Sequence, residues 1–82
     1  MDIVVDEVIS LKSQGNDYVF HIPTSSFYSV DSVTRTALET LDGKVHSEDS
    51  LIPQLEASLD LEKSEVEELI TELVGLRLLV PP

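Results

Sequence analysis

The chain has 82 residues, enough for one domain with a small core, and 41% hydrophobic residues favours a folded protein over a disordered one. Sixteen acidic against five basic residues give a formal charge of −11, which repels phosphate and disfavours nucleic-acid binding. Without cysteine there are no disulfides, thiolate metal sites or thiol nucleophiles. The sequence contains neither an apolar run of membrane-spanning length nor a basic signal-peptide start, so we expect a soluble, cytoplasmic protein.

Three β-strands are predicted before the first helix. Residues 4–11 also fit a helical period, but we interpret them as a strand. Residues 13–17 are polar and contain a Gly-Asn pair, which favours a turn. The aromatic and β-branched segments 18–22 and 26–30 flank turn residues of hairpin length. This order predicts a three-stranded antiparallel sheet.

The first helix is predicted over residues 31–42. Asp31 stands at the N-cap position, where its carboxylate accepts from backbone N–H groups two or three residues on. Gly43 is a plausible C-terminal stop. The apolar face consists of Val33, Ala37, Leu38 and Leu41.

The second helix is predicted over residues 49–59, where leucines recur every four residues. Proline is tolerated where its missing N–H would be unpaired anyway. The helix therefore either starts near Asp49 or Ser50 or is kinked at Pro53.

The third helix is predicted over residues 63–77. Ser64 and Glu67 match an S-x-x-E capping box at its start. The apolar stripe that follows consists of Val66, Leu69, Ile70, Leu73 and Leu76. The tail 78–80 either adds a strand edge or packs under the sheet. Pro81-Pro82 then indicates a domain boundary, which favours the excised N-terminal domain of a larger enzyme over a free-standing protein.

Residues that carry chemistry are sparse. His21 is predicted in a strand and His46 in a loop, and neither belongs to a group with metal-ligand spacing. The serines form no G-x-S-x-G elbow and the glycines no phosphate loop. The acidic run 65–72 is most simply a solvated helix face. We therefore predict no catalytic residue, no metal and no cofactor.

One tripeptide offers a different interpretation. Asp49-Ser50-Leu51 matches the D-S-L sequence on which acyl or peptidyl carrier proteins hold phosphopantetheine at the serine. A carrier domain, however, is helical before that serine, and it usually has a glycine shortly before the tripeptide. Here a β-type hairpin precedes it, so Ser50 is more simply a helix N-cap.

With elements in the order β-β-β-α-α-α, the chain resembles a PqqD-like domain, the RiPP recognition element of ribosomal peptide maturation. The resemblance covers nearly the whole chain and lies in a pattern of elements and hydrophobic positions. The segments that carry it are residues 18–22, 28–31, 41–43, Val66, Leu69, Leu73 and 76–80. Pro53 and the start of the first helix at 33–35 depart from the family pattern.

The resemblance implies an α+β, winged-helix-like domain that binds the leader segment of a precursor peptide by β-strand addition. Such a peptide chaperone presents the precursor to a modifying enzyme, often a radical SAM enzyme, cyclodehydratase or protease. Transferred to this chain, the candidate peptide-binding residues are Ser25, Ser26, Phe27, Tyr28, Ser29, Val30, Ile70, Leu73, Val74 and Arg77. Alternation places Tyr28 and Val30 toward the core and Phe27 at the groove. Ile70 and Leu73 serve equally well as core residues.

Two other classes remain as alternatives to a non-catalytic peptide-binding module: the carrier protein with phosphopantetheine at Ser50, and a winged-helix regulator that binds DNA. The regulator is weakened by the four glutamates of the third helix, which would face phosphate. The sequence does not identify the leader, the modification or the oligomeric state.

Overall fold

The computed structural model describes residues 2–82. Within that range the elements follow the order β1 Asp2–Val5, β2 Val8–Ser13, β3 Asn16–His21, β4 Ser26–Val30, α1 Ser32–Leu41, β5 Val45–Ser47, α2 Glu48–Leu59, α3 Lys63–Gly75 and β6 Leu79–Val80. The predicted α+β class is confirmed, with four strands before the first helix, although β5 lies between α1 and α2 and β6 follows α3. The winged-helix likeness stays a prediction.

The first sheet is an antiparallel meander with the strand order β2-β3-β4. Its first turn has two residues, Gln14 and Gly15, with φ of 53° and 81°, between the paired residues Ser13 and Asn16. Two successive positive φ angles are typical of the tight turns that match the right-handed twist of a hairpin. The predicted hairpin between β3 and β4 is also confirmed.

The second sheet has the order β5-β1-β6, and its strands are antiparallel as well. The prediction of one continuous strand over 4–11 was wrong, since the chain leaves this sheet after Val5 and joins the other at Val8. The intervening Asp6 donates its backbone N–H to Leu78 O at 3.0 Å and turns its carboxylate toward His21. The bond to Leu78 extends the pairing of β1 with β6 by one residue, whereas the carboxylate bonds to a residue of the other sheet.

The helix starts show where local signals succeed and fail. The Asp31 cap is confirmed, because its Oδ1 accepts from Thr34 N at 2.8 Å. The proposed N-cap at Ser50 was wrong: Ser47 is the cap, and it accepts from Ser50 N. The capping box Ser64–Glu67 was also wrong, because Glu62 N donates to Glu65 Oε1 at 3.2 Å and the helix starts before Ser64.

The end of α3 falls at Gly75, two residues before the predicted end. Arg77 takes a left-handed conformation with φ of 62°. Leu78 N then donates to Leu73 O at 2.9 Å and Arg77 N to Val74 O at 3.0 Å. This pair of bonds is a Schellman motif, which reverses the chain and carries Leu78 into the core.

The core lies between the helices and the inner faces of the two sheets. Its fully buried side chains include Val19, Leu38, Leu41, Leu51, Leu55, Val66, Leu73 and Leu78. On the predicted apolar face of α1, Val33 is exposed and Thr34 is buried in its place. His46 lies in β5, not in a loop, and its Nε2 is 3.1 Å from Leu41 O, which ties the end of α1 to the sheet.

Candidate functional site

The strand β4 is an edge of its sheet. Within residues 2–82 it pairs with β3 alone, through a register that places Phe27 opposite Phe20 and Ser29 opposite Tyr18. Its other side therefore presents N–H and C=O groups that no strand of the described chain pairs. This agrees with the predicted edge at this strand, although Ser25 lies in the preceding turn, where its N–H donates to Ile22 O.

The side chains of β4 alternate as predicted. Tyr28 and Val30 pack against the core, and Phe27 and Ser29 are exposed on the opposite face. Ser26 begins the strand opposite His21 and is half-buried. The edge thus offers its backbone to a partner without disturbing the two residues that hold the strand onto the core.

The candidate residues of α3 are divided. Leu73 is fully buried, so it is a core residue that no ligand reaches in this structure. Ile70 is half-buried and lines a cleft with Ile52 of α2. Val74 is 47% exposed, and Arg77 is exposed beyond the helix end. Since residues four apart share a helix face, Ile70 and Val74 belong to the side of α3 that faces α2.

A different side of α3 faces the start of α1, whose N-cap Asp31 directly follows β4. A cleft of about 270 Å³ lies between the start of α1 and α3, and it begins at Asp31, directly after β4. Its walls are formed by Asp31, Val33, Thr34, Leu61, Glu65, Glu68, Leu69 and Glu72. The structure therefore places acidic residues of α3, and not the predicted Ile70, Val74 and Arg77, opposite Asp31, the residue that follows β4. Their spacing at i, i+3 and i+7 was the available signal, but a solvated helix face has the same pattern.

The Asp31 carboxyl of this cleft is stabilised in its charged form. The hydroxyl and backbone N–H groups of Thr34 donate to Asp31 and hold the pKa of its carboxyl below the usual value. Because three glutamates stand opposite, the cleft favours a cationic side chain.

Sequence reasoning missed a second polar constellation. His21, only 1% exposed, has Nε2 2.7 Å from Asp6 Oδ2 and Nδ1 2.7 Å from Thr24 Oγ1. An acid, an imidazole and a hydroxyl in series are also the parts of a nucleophilic triad. The clefts beside α1, α2 and α3 include none of these three residues in their walls. The network instead joins the break between β1 and β2 to the turn between β3 and β4.

Among residues 2–82 the structure groups no three His, Asp or Glu side chains in an arrangement that would hold a metal ion. None of the helices described combines the length and the apolar character needed to cross a membrane. Comparison with known proteins finds no matching family model, no similar curated protein and no similar solved structure.

Proposed function

We infer that this chain is a non-catalytic recognition domain that binds an extended peptide along the free edge of β4. In keeping with the PqqD-like resemblance, the peptide is the leader segment of a ribosomally synthesised precursor, which the domain presents to a modifying enzyme. The observation that supports this most directly is the unpaired edge of β4. A cleft between the start of α1 and α3 begins at Asp31, the residue that follows this strand.

The chemistry of strand addition fits this surface. An extended peptide satisfies the free N–H and C=O groups of an edge strand, and neighbouring pockets select its side chains. The cleft after β4 carries Asp31, Glu65, Glu68 and Glu72. We therefore expect the bound peptide to place a lysine or arginine just beyond its β-paired segment.

The test is a backbone ¹H–¹⁵N NMR titration with precursor peptides encoded beside the gene and with random extended peptides selected by display. Support consists of shifts in Ser26–Val30 and in the cleft residues, together with loss of binding when alternate peptide nitrogens are methylated. Methylation at one set of alternate positions removes the donors that face β4, whereas the other set points to solvent. Binding that neither set affects would contradict strand addition.

A second candidate rests on the exposure of Ser50 in the first turn of α2. A phosphopantetheine carrier also holds its serine at a helix start, but here Ser50 Oγ bonds to Ser47 O at 3.0 Å and five strands precede it. Mass spectrometry after incubation with a phosphopantetheinyl transferase separates the two functions. A modified Ser50 would favour the carrier over the peptide-binding domain.

A further inference from the structure

The outer face of the sheet β2-β3-β4 is apolar and uncovered. Phe27 is 57% exposed and Ile9 is 52% exposed, although both lie in the middle of paired strands. The pairing register continues this face through the half-buried Leu11, Tyr18 and Phe20 and the exposed Ser29. Its members are Ile9, Leu11, Tyr18, Phe20, Phe27 and Ser29.

The aromatic rings on this face touch one another. The centroid of the Phe27 ring lies 5.6 Å from that of Tyr18 and 5.9 Å from that of Phe20. Of the four aromatic residues in the chain, only Tyr28 turns toward the core. Single exposed apolar residues are common on protein surfaces, but a contiguous apolar patch indicates an interaction surface.

The dimensions of the face suit one helix. Strands of five or six residues at about 3.3 Å per residue give a length of roughly 17 Å, and the outer strands lie about 10 Å apart. A helix is about 10 Å across and covers that length with about eleven residues. Their product, roughly 170 Å² of projected sheet, is far below the accessible area of about 800 Å² per partner that a stable dimer buries, so two such faces alone would not hold a dimer together.

The charge pattern selects the partner. The face itself carries no charged residue, Lys12 alternates to the other side, and the acids Glu7 and Asp31 stand at its ends. A second copy would add another charge of −11 and the same acidic ends. We propose that this face docks an amphipathic helix of a partner protein, with leucine-like residues on the sheet and lysine or arginine at its flanks.

This inference is independent of the edge-strand proposal. A helix on the face approaches along the normal of the sheet, whereas a peptide on β4 adds within its plane. The edge of β4 therefore stays open when the face is occupied, so a docked partner and a bound peptide are held side by side. Either surface can fail experimentally without removing the other.

The test uses the full chain and a helical peptide of about twelve residues, with leucines on one side and lysines at the flanks. A scrambled peptide of the same composition keeps the charge but loses the apolar side. The variant Phe27→Thr removes the central ring and replaces it with a β-branched residue, which strands also favour. Val45→Thr is the matched control, because Val45 is also a strand residue that is 57% exposed, but in the other sheet.

We expect the helical peptide to shift the NMR signals of Ile9, Phe20 and their neighbours. Phe27→Thr should weaken the affinity at least tenfold, and Val45→Thr should leave the affinity unchanged. Equal binding of the scrambled peptide, or shifts centred on the glutamates of α3, would reduce the effect to charge and overturn the proposal. A dimer in sedimentation that Phe27→Thr dissociates would also overturn it, since the occupant would then be a second copy.

Discussion

The Oδ2 atom of Asp6 lies 2.7 Å from Nε2 of His21, and this bond spans the point where the chain passes from one sheet to the other. His21 is buried and Asp6 is partly exposed, with 2% and 28% of their side chains accessible. The imidazole thus depends on Asp6 for one of its two hydrogen-bond partners. The Asp6–His21 hydrogen bond, together with the β2–β3 pairing that begins at Val8 and His21, holds the two sheets in their relative position.

We predict that Asp6→Ala lowers the free energy of unfolding by about 1–3 kcal/mol, because it leaves a buried ring nitrogen without a partner. Asp6→Asn keeps an acceptor oxygen and should cost less. Glu7→Ala, an exposed acid next in sequence, serves as the control and should change the stability by less than about 0.5 kcal/mol. Urea unfolding of the three variants measures the difference, and equal losses for Asp6→Ala and Glu7→Ala would contradict the prediction.

The same pair predicts a pH dependence. The hydrogen bond from His21, followed by the backbone N–H of Glu7, holds the pKa of the Asp6 carboxyl below its ordinary value. A carboxyl whose pKa is lower in the folded state adds stability above the unfolded pKa and loses it as the pH falls through the folded value. The stability difference between the wild type and Asp6→Asn should therefore shrink below about pH 4. General acid effects on the other carboxylates are common to both proteins, so a difference that grows at low pH would contradict the assignment.

The strand break at Asp6 illustrates what the sequence could not predict. The hydrophobic residues of 4–11 are Val4-Val5, Val8-Ile9 and Leu11, a pattern that fits a strand or a helix, and it contains no information about which sheet each half joins. Asp6, between the two halves, bonds to His21 and Leu78, and both of these residues are distant from it in sequence. By contrast, the β3–β4 hairpin and the Asp31 cap depend on neighbours within a few residues and were predicted correctly.

In the candidate site, too, features that depend on local sequence were predictable, and features that depend on distant contacts were not. The alternation of β4 was predictable, because a strand has a period of two residues. The orientation of α3 was not, since Glu65, Glu68 and Glu72 occupy a helix side that is polar in either arrangement. Only the packing of α3 against α1 shows that this side forms a wall of the cleft. Leu73 was placed among the candidate ligand contacts on likeness alone, and the structure buries it.

Variants of Arg77 distinguish a role in the backbone conformation from a role in peptide binding. Its φ of 62° lies in the left-handed region, which costs an ordinary residue about 1 kcal/mol relative to glycine. Arg77→Gly should therefore raise the melting temperature by roughly 4–8 °C, and Arg77→Ala should not. If Arg77 instead contacts the bound peptide, both variants weaken binding equally. Differential scanning calorimetry and the peptide titration together distinguish the two roles.

Arg35 of α1 pairs with two carboxylates of different burial, Asp17 of β3 and Glu39 of its own helix. Its Nε lies 2.7 Å from Asp17 Oδ1, an ion pair without the alignment of a hydrogen bond, and its Nη1 lies 2.6 Å from Glu39 Oε1. The Asp17 side chain is 9% exposed and that of Glu39 is 52% exposed. Solvent screens the second pair but not the first.

We therefore expect Arg35→Ala to lower the free energy of unfolding by about 2–3 kcal/mol, because it leaves the buried Asp17 carboxylate unpaired. Glu39→Gln should cost about 0.5 kcal/mol or less, as for other exposed i,i+4 pairs. In the double variant Arg35→Ala/Asp17→Asn, part of the stability should return, since the uncompensated charge is gone. Chemical denaturation of these variants in low and high salt is the measurement. A loss for Arg35→Ala that salt abolishes would show that the Asp17 pair is screened like a surface contact and would contradict the prediction.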